Sequence, residues 1–181
     1  MERNGSAFKT HCYPIDKISY VEFETALLAS SFKICGMTSQ GFHTSTTLIF
    51  NSITDYLFKP ILKRARLITK ESEGTDQSSE LEKFEHLIKV NYKFMSFAKR
   101  SLLGGEKVIQ YILQPEIRES ILKFLRKPYY RTISLIHMCI LTERELIVIQ
   151  ESVAQRKEDR YGGIWNYIPL NQIPFCEQEN R

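Results

Sequence analysis

One stretch of the chain, residues 70–80, contains no apolar side chain and is rich in Ser, Glu and Gly. A segment of this composition buries too little surface to offset the entropy of ordering it, so it is typical of a solvated linker. The stretches on either side are rich in apolar residues. The linker therefore divides the 181-residue chain into a first part, residues 1–69, and a second part, residues 81–181.

The first part predicts a meander of strands followed by a helix. Three stretches have the alternation or the β-branched content of strands and lie between Gly or polar residues: 18–24, 27–36 and 44–51. A helix is expected to begin near Thr54, because Asp55 suits the positive N-terminal end of a helix. Pro60 would lie in the first turns of this helix or kink it.

The second part begins with the clearest helical pattern in the sequence. Ser79 and Glu82 form a capping-box signature, and Gly104 followed by Gly105 marks a stop. Between them, apolar residues recur at helical spacing at Leu81, Phe84, Ile88, Met95, Ala98 and Leu102. The spacing predicts one long helix over residues 79–103, with its apolar stripe packed on a sheet.

A further helix and several strands are expected after this long helix. Residues 115–127 predict the helix, because Pro115 suits a first turn and the apolar residues from Ile117 to Leu125 share one face. Strands are predicted around it at residues 107–113, 131–141, 145–150 and 164–173. These elements together indicate an α+β fold with an antiparallel sheet.

Short motifs in the second part resemble the bacterial pleckstrin-homology-like domain. Residues 141–147 read LTERELI, residues 167–173 read YIPLNQI after a polar loop, and residues 102–108 read LLGGEKV. They are similar to the LT-x-x-R/E-L-I, I-P-L-x-x-I and L-x-x-G-E-x-V elements of that family. The resemblance implies an antiparallel sheet or partly open barrel of pleckstrin-homology type with packed helices.

The order of these elements differs from that of the family. Residues 13–18, YPIDKI, resemble a second I-P-L-x-x-I element, and what would be the closing strands and terminal helix of the family follow it. The resemblance thus covers residues 13–68 and 97–174, with the closing half first and the opening half second. Two arrangements stay open: the halves complete each other within one chain, as in a circular permutant, or open strand edges pair between chains.

Charge and composition exclude several functional classes. The chain carries 25 Lys and Arg against 21 Asp and Glu, and a net charge of +4 is small for a dedicated nucleic-acid binder. Asp occurs only at four scattered positions, which argues against calcium loops and two-metal sites. No apolar run approaches the ~20 residues of a membrane helix, and the four Cys are widely spaced. We expect a soluble, cytoplasmic protein with reduced thiols.

No motif in the chain points to catalysis or to a cofactor. A nucleophile elbow, a P-loop and a dinucleotide fingerprint are absent, and both Gly-Gly pairs, at 104–105 and 162–163, predict turns. Residues of zinc-ligand type are present at a spacing that matches no zinc module: His11, Cys12, His137 and Cys139. We therefore expect no catalytic residue, no cofactor and no metal site.

The last predicted hairpin offers a surface for a partner. Trp165 and Tyr167 are expected to be exposed on one face of a strand, and the preceding loop, residues 156–163, is charged and aromatic. The candidate partner-binding residues are Trp165, Tyr167, Tyr161, Arg160 and Arg156. The sequence predicts a non-enzymatic module that binds a protein partner or assembles with itself into a homo-oligomer.

Two other interpretations stay open. Basic residues on the predicted helices, at 59–70 and 123–131, could bind a membrane surface or an anionic ligand. Basic residues near helix C-termini are also favoured by the helix dipole, so a membrane surface is not the preferred partner. An enzyme would need a perturbed His or Cys in a pocket, which a sequence does not reveal.

Overall fold

The computed structural model of the chain describes residues 2–4, 7–66, 77–124, 127–151 and 162–173. Before residue 67 its elements are β1 (Glu2–Asn4), β2 (Ala7–Lys9), β3 (Ile18–Ala26), β4 (Ala29–Met37), β5 (His43–Asn51) and α1 (Asp55–Arg66). From residue 77 they are α2 (Gln77–Glu82), α3 (Ile88–Ser101), β6 (Val108–Gln114), β7 (Ile117–Phe124), β8 (Lys127–Ser134), β9 (His137–Thr142), β10 (Glu145–Glu151) and β11 (Gly163–Pro169).

Seven strands form one antiparallel sheet in the order β5-β4-β3-β11-β10-β9-β6. The strands of the first part join those of the second where β3 pairs with β11, with Phe23 opposite Trp165 and Val21 opposite Tyr167. Within the described residues β5 and β6 do not pair with each other, so the sheet stays open at both edges. The molecule therefore has the α+β fold with a partly open antiparallel sheet that the sequence predicts, and both parts of the chain contribute strands to that sheet.

The core lies between one face of the sheet and the helices, and this face is called the inner face below. Every second residue of β9 and β11 is buried, as expected where one face of a strand is covered. Phe94, Phe97 and Ala98 of α3 are buried in the same cluster. At Gly163 a Cβ would lie 2.8 Å from the ring of Phe97, so the close approach of α3 to β11 requires a glycine.

The strands and the helix predicted in the first part are confirmed as β3, β4, β5 and α1. Pro60 lies inside α1, which continues beyond it to Arg66. In the second part, the strands expected at 107–113, 145–150 and 164–173 correspond to β6, β10 and β11, the last of which ends at Pro169. Gly104 and Gly105 form the predicted turn, whereas Gly163 begins β11.

The helix predicted at residues 115–127 is wrong. Strands β7 and β8 pair there as an antiparallel hairpin, with Ser120 opposite Tyr130. The helical spacing of the apolar residues was compatible with either element, and the β-branched and aromatic residues of β8 supply a strand partner that favours the hairpin. The single strand expected at 131–141 is accordingly divided between β8 and β9.

The long helix predicted at residues 79–103 is interrupted. Strand-like angles at Asn91 (φ −159°, ψ 93°) break α3, and the Asn91 side chain accepts a hydrogen bond from the Phe94 N–H at 3.2 Å, as a helix cap does. Residues 77–80, predicted as linker, belong to α2, so Ser79 is not a cap. Residues 67–76, the remainder of the predicted linker, lie outside the described residues.

Candidate functional site

The structure places Trp165 and Tyr167 in the core, and the expectation that they are exposed is wrong. Each is only 4% exposed. The centres of the Trp165 and Phe97 rings lie 4.8 Å apart, and the Trp165 Nε1–H donates to the Phe97 carbonyl at 3.4 Å. Large aromatic side chains with a satisfied polar tip are favoured in such a core. Tyr161, Arg160 and Arg156 lie outside the described residues, and a binding role for all five stays a prediction.

Tyr167 belongs to a buried polar cluster centred on Arg66, the last residue of α1. The Arg66 guanidinium lies 3.8 Å above the Tyr167 ring, a favourable contact of a cation with an aromatic face. The Arg66 Nε donates to Glu145 Oε1 at 3.0 Å. The Arg66 Nη2 also donates to Glu145 Oε1, and it lies 3.5 Å from Glu106 Oε2. One cation thus faces two carboxyl groups.

Glu106 and Glu145 are held by further hydrogen bonds. The Glu106 carboxylate accepts from the Leu103 N–H at 2.8 Å and from the Thr142 hydroxyl at 2.7 Å. Thr142 Oγ1 in turn accepts from the Glu145 N–H at 3.1 Å. The described side chains contain no buried polar atom without a partner, so this network is fully satisfied. It fastens α1, from the first part, to the start of β10, from the second.

The electrostatics of this cluster follow from its burial. Burial away from water is the main cause that raises the pKa of Glu145 to about 7. The nearby Glu106 carboxyl also raises this pKa, whereas the Arg66 guanidinium lowers it. Burial likewise raises the pKa of the Tyr167 hydroxyl to about 12. Two carboxyl groups beside one guanidinium form a neutral set when one of them holds a proton. The cluster therefore exchanges a proton near neutral pH.

A cavity of about 390 Å³ opens between α1 and the sheet beside this cluster. Its apolar lining comes from Phe23, Leu62, Leu102, Leu103, Trp165 and Tyr167. Its charged lining comes from Asp55, Lys59, Lys63, Arg66 and Arg100. The volume lies within the range of roughly 300–1,000 Å³ that is usual for small-molecule sites. An apolar interior with cations around it suits a ligand that is apolar at one end and anionic at the other.

Of the two basic helices predicted from the sequence, one exists. The first is α1, on which Lys59, Lys63 and Arg64 are exposed and Arg66 is buried. The second is the helix predicted at residues 115–127, and its described residues from Ile117 onward belong to β7 and β8 instead.

The candidate zinc-ligand residues do not converge. Within the described ranges, no group of three or more His, Cys, Asp and Glu side chains could hold a metal ion. Cys12, Cys35 and Cys139 are free thiols, and burial raises the pKa of Cys139. A raised thiol pKa disfavours the nucleophilic thiolate.

The two edges of the sheet are the other candidate sites. Neither β5 (HTSTTLIFN) nor β6 (VIQYILQ) contains Lys, Arg, Asp, Glu or Pro, the residues with which proteins commonly protect an edge. On the outer face, opposite the core, Ile49 of β5 is 81% exposed and Ile112 of β6 is 58% exposed. Such edges are suited to pairing with another strand.

The edge of β6 is partly closed by side chains of α2 and of the residue that follows it. Glu80 accepts from the Val108 N–H at 2.7 Å, and Lys83 Nζ donates to the Val108 carbonyl at 3.0 Å. These side chains take the hydrogen bonds that a neighbouring strand would take. Within the described residues, β5 pairs with β4 alone and has no neighbour on its other side. The edge of β5 is therefore the more accessible of the two.

Comparison of the chain with protein-family models, with curated proteins and with solved structures found no match. Among the described residues, no helix combines the length and the apolar character needed to cross a membrane.

Proposed function

We propose that this chain is a non-enzymatic interaction module that pairs with a second copy of itself through the edge of β5. The observation that carries the proposal is the long, uncharged outer edge of that strand, which pairs with no other strand that the structure describes. The similarity of several motifs to bacterial pleckstrin-homology-like domains and the cytoplasmic location expected from the sequence are part of the same proposal.

The composition of β5 supports pairing with an identical strand. In an antiparallel pair centred on Thr47, Ile49 of one chain would lie opposite Ser45 of the other, and Thr47 would lie opposite its own copy. Threonine and β-branched pairs of this kind stabilise antiparallel sheets. No like charges meet in this register, because β5 carries none. A two-fold axis relates the chains, which is the commonest symmetry of homo-oligomers.

The segment after β5 adds apolar surface to the same region. Ile53, Tyr56 and Leu57 follow the strand directly and are more than half exposed. Grouped apolar side chains on a surface commonly mark a contact with another protein. Association through β5 would give them a surface to pack on.

Replacing Ile49 with Lys is expected to dissociate the dimer, because a charge on an edge strand opposes the approach of another strand. The measurement is the absolute mass from light scattering behind a size-exclusion column. We expect twice the chain mass of 21.2 kDa for the wild type and the chain mass for Ile49→Lys, with affinity lowered at least tenfold. Circular dichroism verifies that the variant stays folded.

Ile112→Lys is the matched control, since it places the same charge on the outer face of the opposite edge strand. This variant is expected to keep the wild-type mass. A wild type that stays at 21.2 kDa at every concentration would contradict self-assembly. Dissociation by both variants would indicate that β5 of one chain pairs with β6 of the next, which contradicts a two-fold dimer.

A further inference from the structure

The cavity between α1 and the sheet lies on the inner face, away from the outer-face residues used in the dimer test. Trp165 and Phe23, whose ring centres lie 6.2 Å apart, contribute aromatic surface to it, and Leu62 of α1 adds aliphatic surface. Apolar walls of this kind favour an aliphatic or aromatic group.

Some of the cationic side chains around the cavity are neutralised by acidic side chains, and others are not. Lys59 forms an ion pair with Asp55 at 3.3 Å, and Arg66 is balanced by the two buried carboxyl groups. Lys63 and Arg100 are exposed at the surface of the molecule. Neither forms an ion pair with an acidic side chain among the described residues. The cavity therefore has an excess positive charge contributed by these two side chains.

We propose that this cavity binds an amphipathic carboxylate, with its apolar chain against Trp165 and Leu62 and its carboxylate beside Lys63 and Arg100. Cations attract and orient the anionic end, while burial of the chain in the apolar interior supplies most of the affinity. A free fatty acid and an acidic lipid of a membrane share this chemistry. The size of the cavity favours the free acid.

Trp165 allows the proposal to be tested directly, because it is the only tryptophan of the chain and lines the cavity. Titration with decanoate is expected to change the intensity and wavelength of its fluorescence in a saturable manner. Decanol has the same chain without the charge, and acetate has the charge without the chain. Both are expected to bind at least tenfold more weakly than decanoate.

The double variant Lys63→Glu/Arg100→Glu reverses the excess charge and is expected to weaken decanoate binding at least tenfold. Arg64→Glu is the matched control, since Arg64 is exposed on the same helix and does not line this cavity. It is expected to bind decanoate as the wild type does. Both altered sites are at the surface, so circular dichroism should show an unchanged fold.

Three results would overturn the proposal. One is a Trp165 emission that does not respond to decanoate. Another is equal affinity of the double variant and the wild type, because the cations would then play no part. The third is binding to phosphatidylglycerol vesicles with unchanged Trp165 emission, since the ligand would then lie on the exposed basic face of α1 and not in the cavity.

Discussion

Replacement of Arg66 by alanine is expected to lower the free energy of unfolding by about 3–5 kcal/mol, the usual cost of removing one partner from a buried ion pair. The Arg66 side chain is 3% exposed, and its guanidinium lies against Glu145, Glu106 and the Tyr167 ring. Without it, two carboxyl groups stay in the interior with no cation, and the Tyr167 ring loses its packing partner. Equilibrium unfolding in urea, extrapolated linearly to water, measures the loss.

Arg64→Ala is the control for this prediction. Arg64 lies on the same helix two residues earlier and is exposed, so its removal should change the free energy of unfolding by no more than about 0.5 kcal/mol. If Arg66→Ala were as stable as Arg64→Ala, the buried cluster would not fasten α1 to the sheet.

The free energy of unfolding is expected to fall as the pH rises toward and above 7. The pKa of Glu145 is about 7 in the folded state, against an ordinary value of 4.5, so the folded chain binds more protons than the unfolded chain between these values. This contribution to stability is complete below pH 4.5 and is lost as the pH rises through 7. At about 1.4 kcal/mol for each pKa unit, the loss is on the order of 3 kcal/mol. Urea unfolding at a series of pH values between 4.5 and 8 measures it.

The variant Glu145→Gln separates this effect from the titration of other groups in the protein, because glutamine resembles the protonated acid in shape and does not titrate. The stability of this variant is expected to depend much less on pH between 4.5 and 8. Glu143→Gln, at an exposed position two residues away, should keep the wild-type profile. A Glu145→Gln profile that matches the wild type would show that Glu145 does not hold this proton.

The strands of the first part were predictable because local signals agreed there. Alternating or β-branched runs lay between glycines and polar residues, and the structure has β3, β4 and β5 at those places. The helix predicted at 115–127 failed because its apolar residues suited both a helix and a strand. The pairing of β7 with β8 depends on a partner strand, which a local pattern does not include.

The candidate site was predictable only in part. The shared face of Trp165 and Tyr167 followed from strand alternation, but which face the helices cover is decided by residues far away in the sequence. Arg66 resembled its exposed basic neighbours on α1, whereas its partners Glu106 and Glu145 lie 40 and 79 residues away. A partial signal was present, since Glu145 begins a predicted strand directly before an apolar run and Glu106 immediately precedes another predicted strand.

Hydrogen exchange of the β5 amides tests the central claim, self-assembly through this edge, most directly. In a single chain, alternate amides of an antiparallel edge strand bond to its neighbour, here β4, and the others face outward. We predict that the outward-facing amides of residues 43–51 are protected at high protein concentration and lose that protection on dilution and in Ile49→Lys. Rapid exchange of these amides at every concentration, equal in the wild type and in the variant, would contradict pairing through β5.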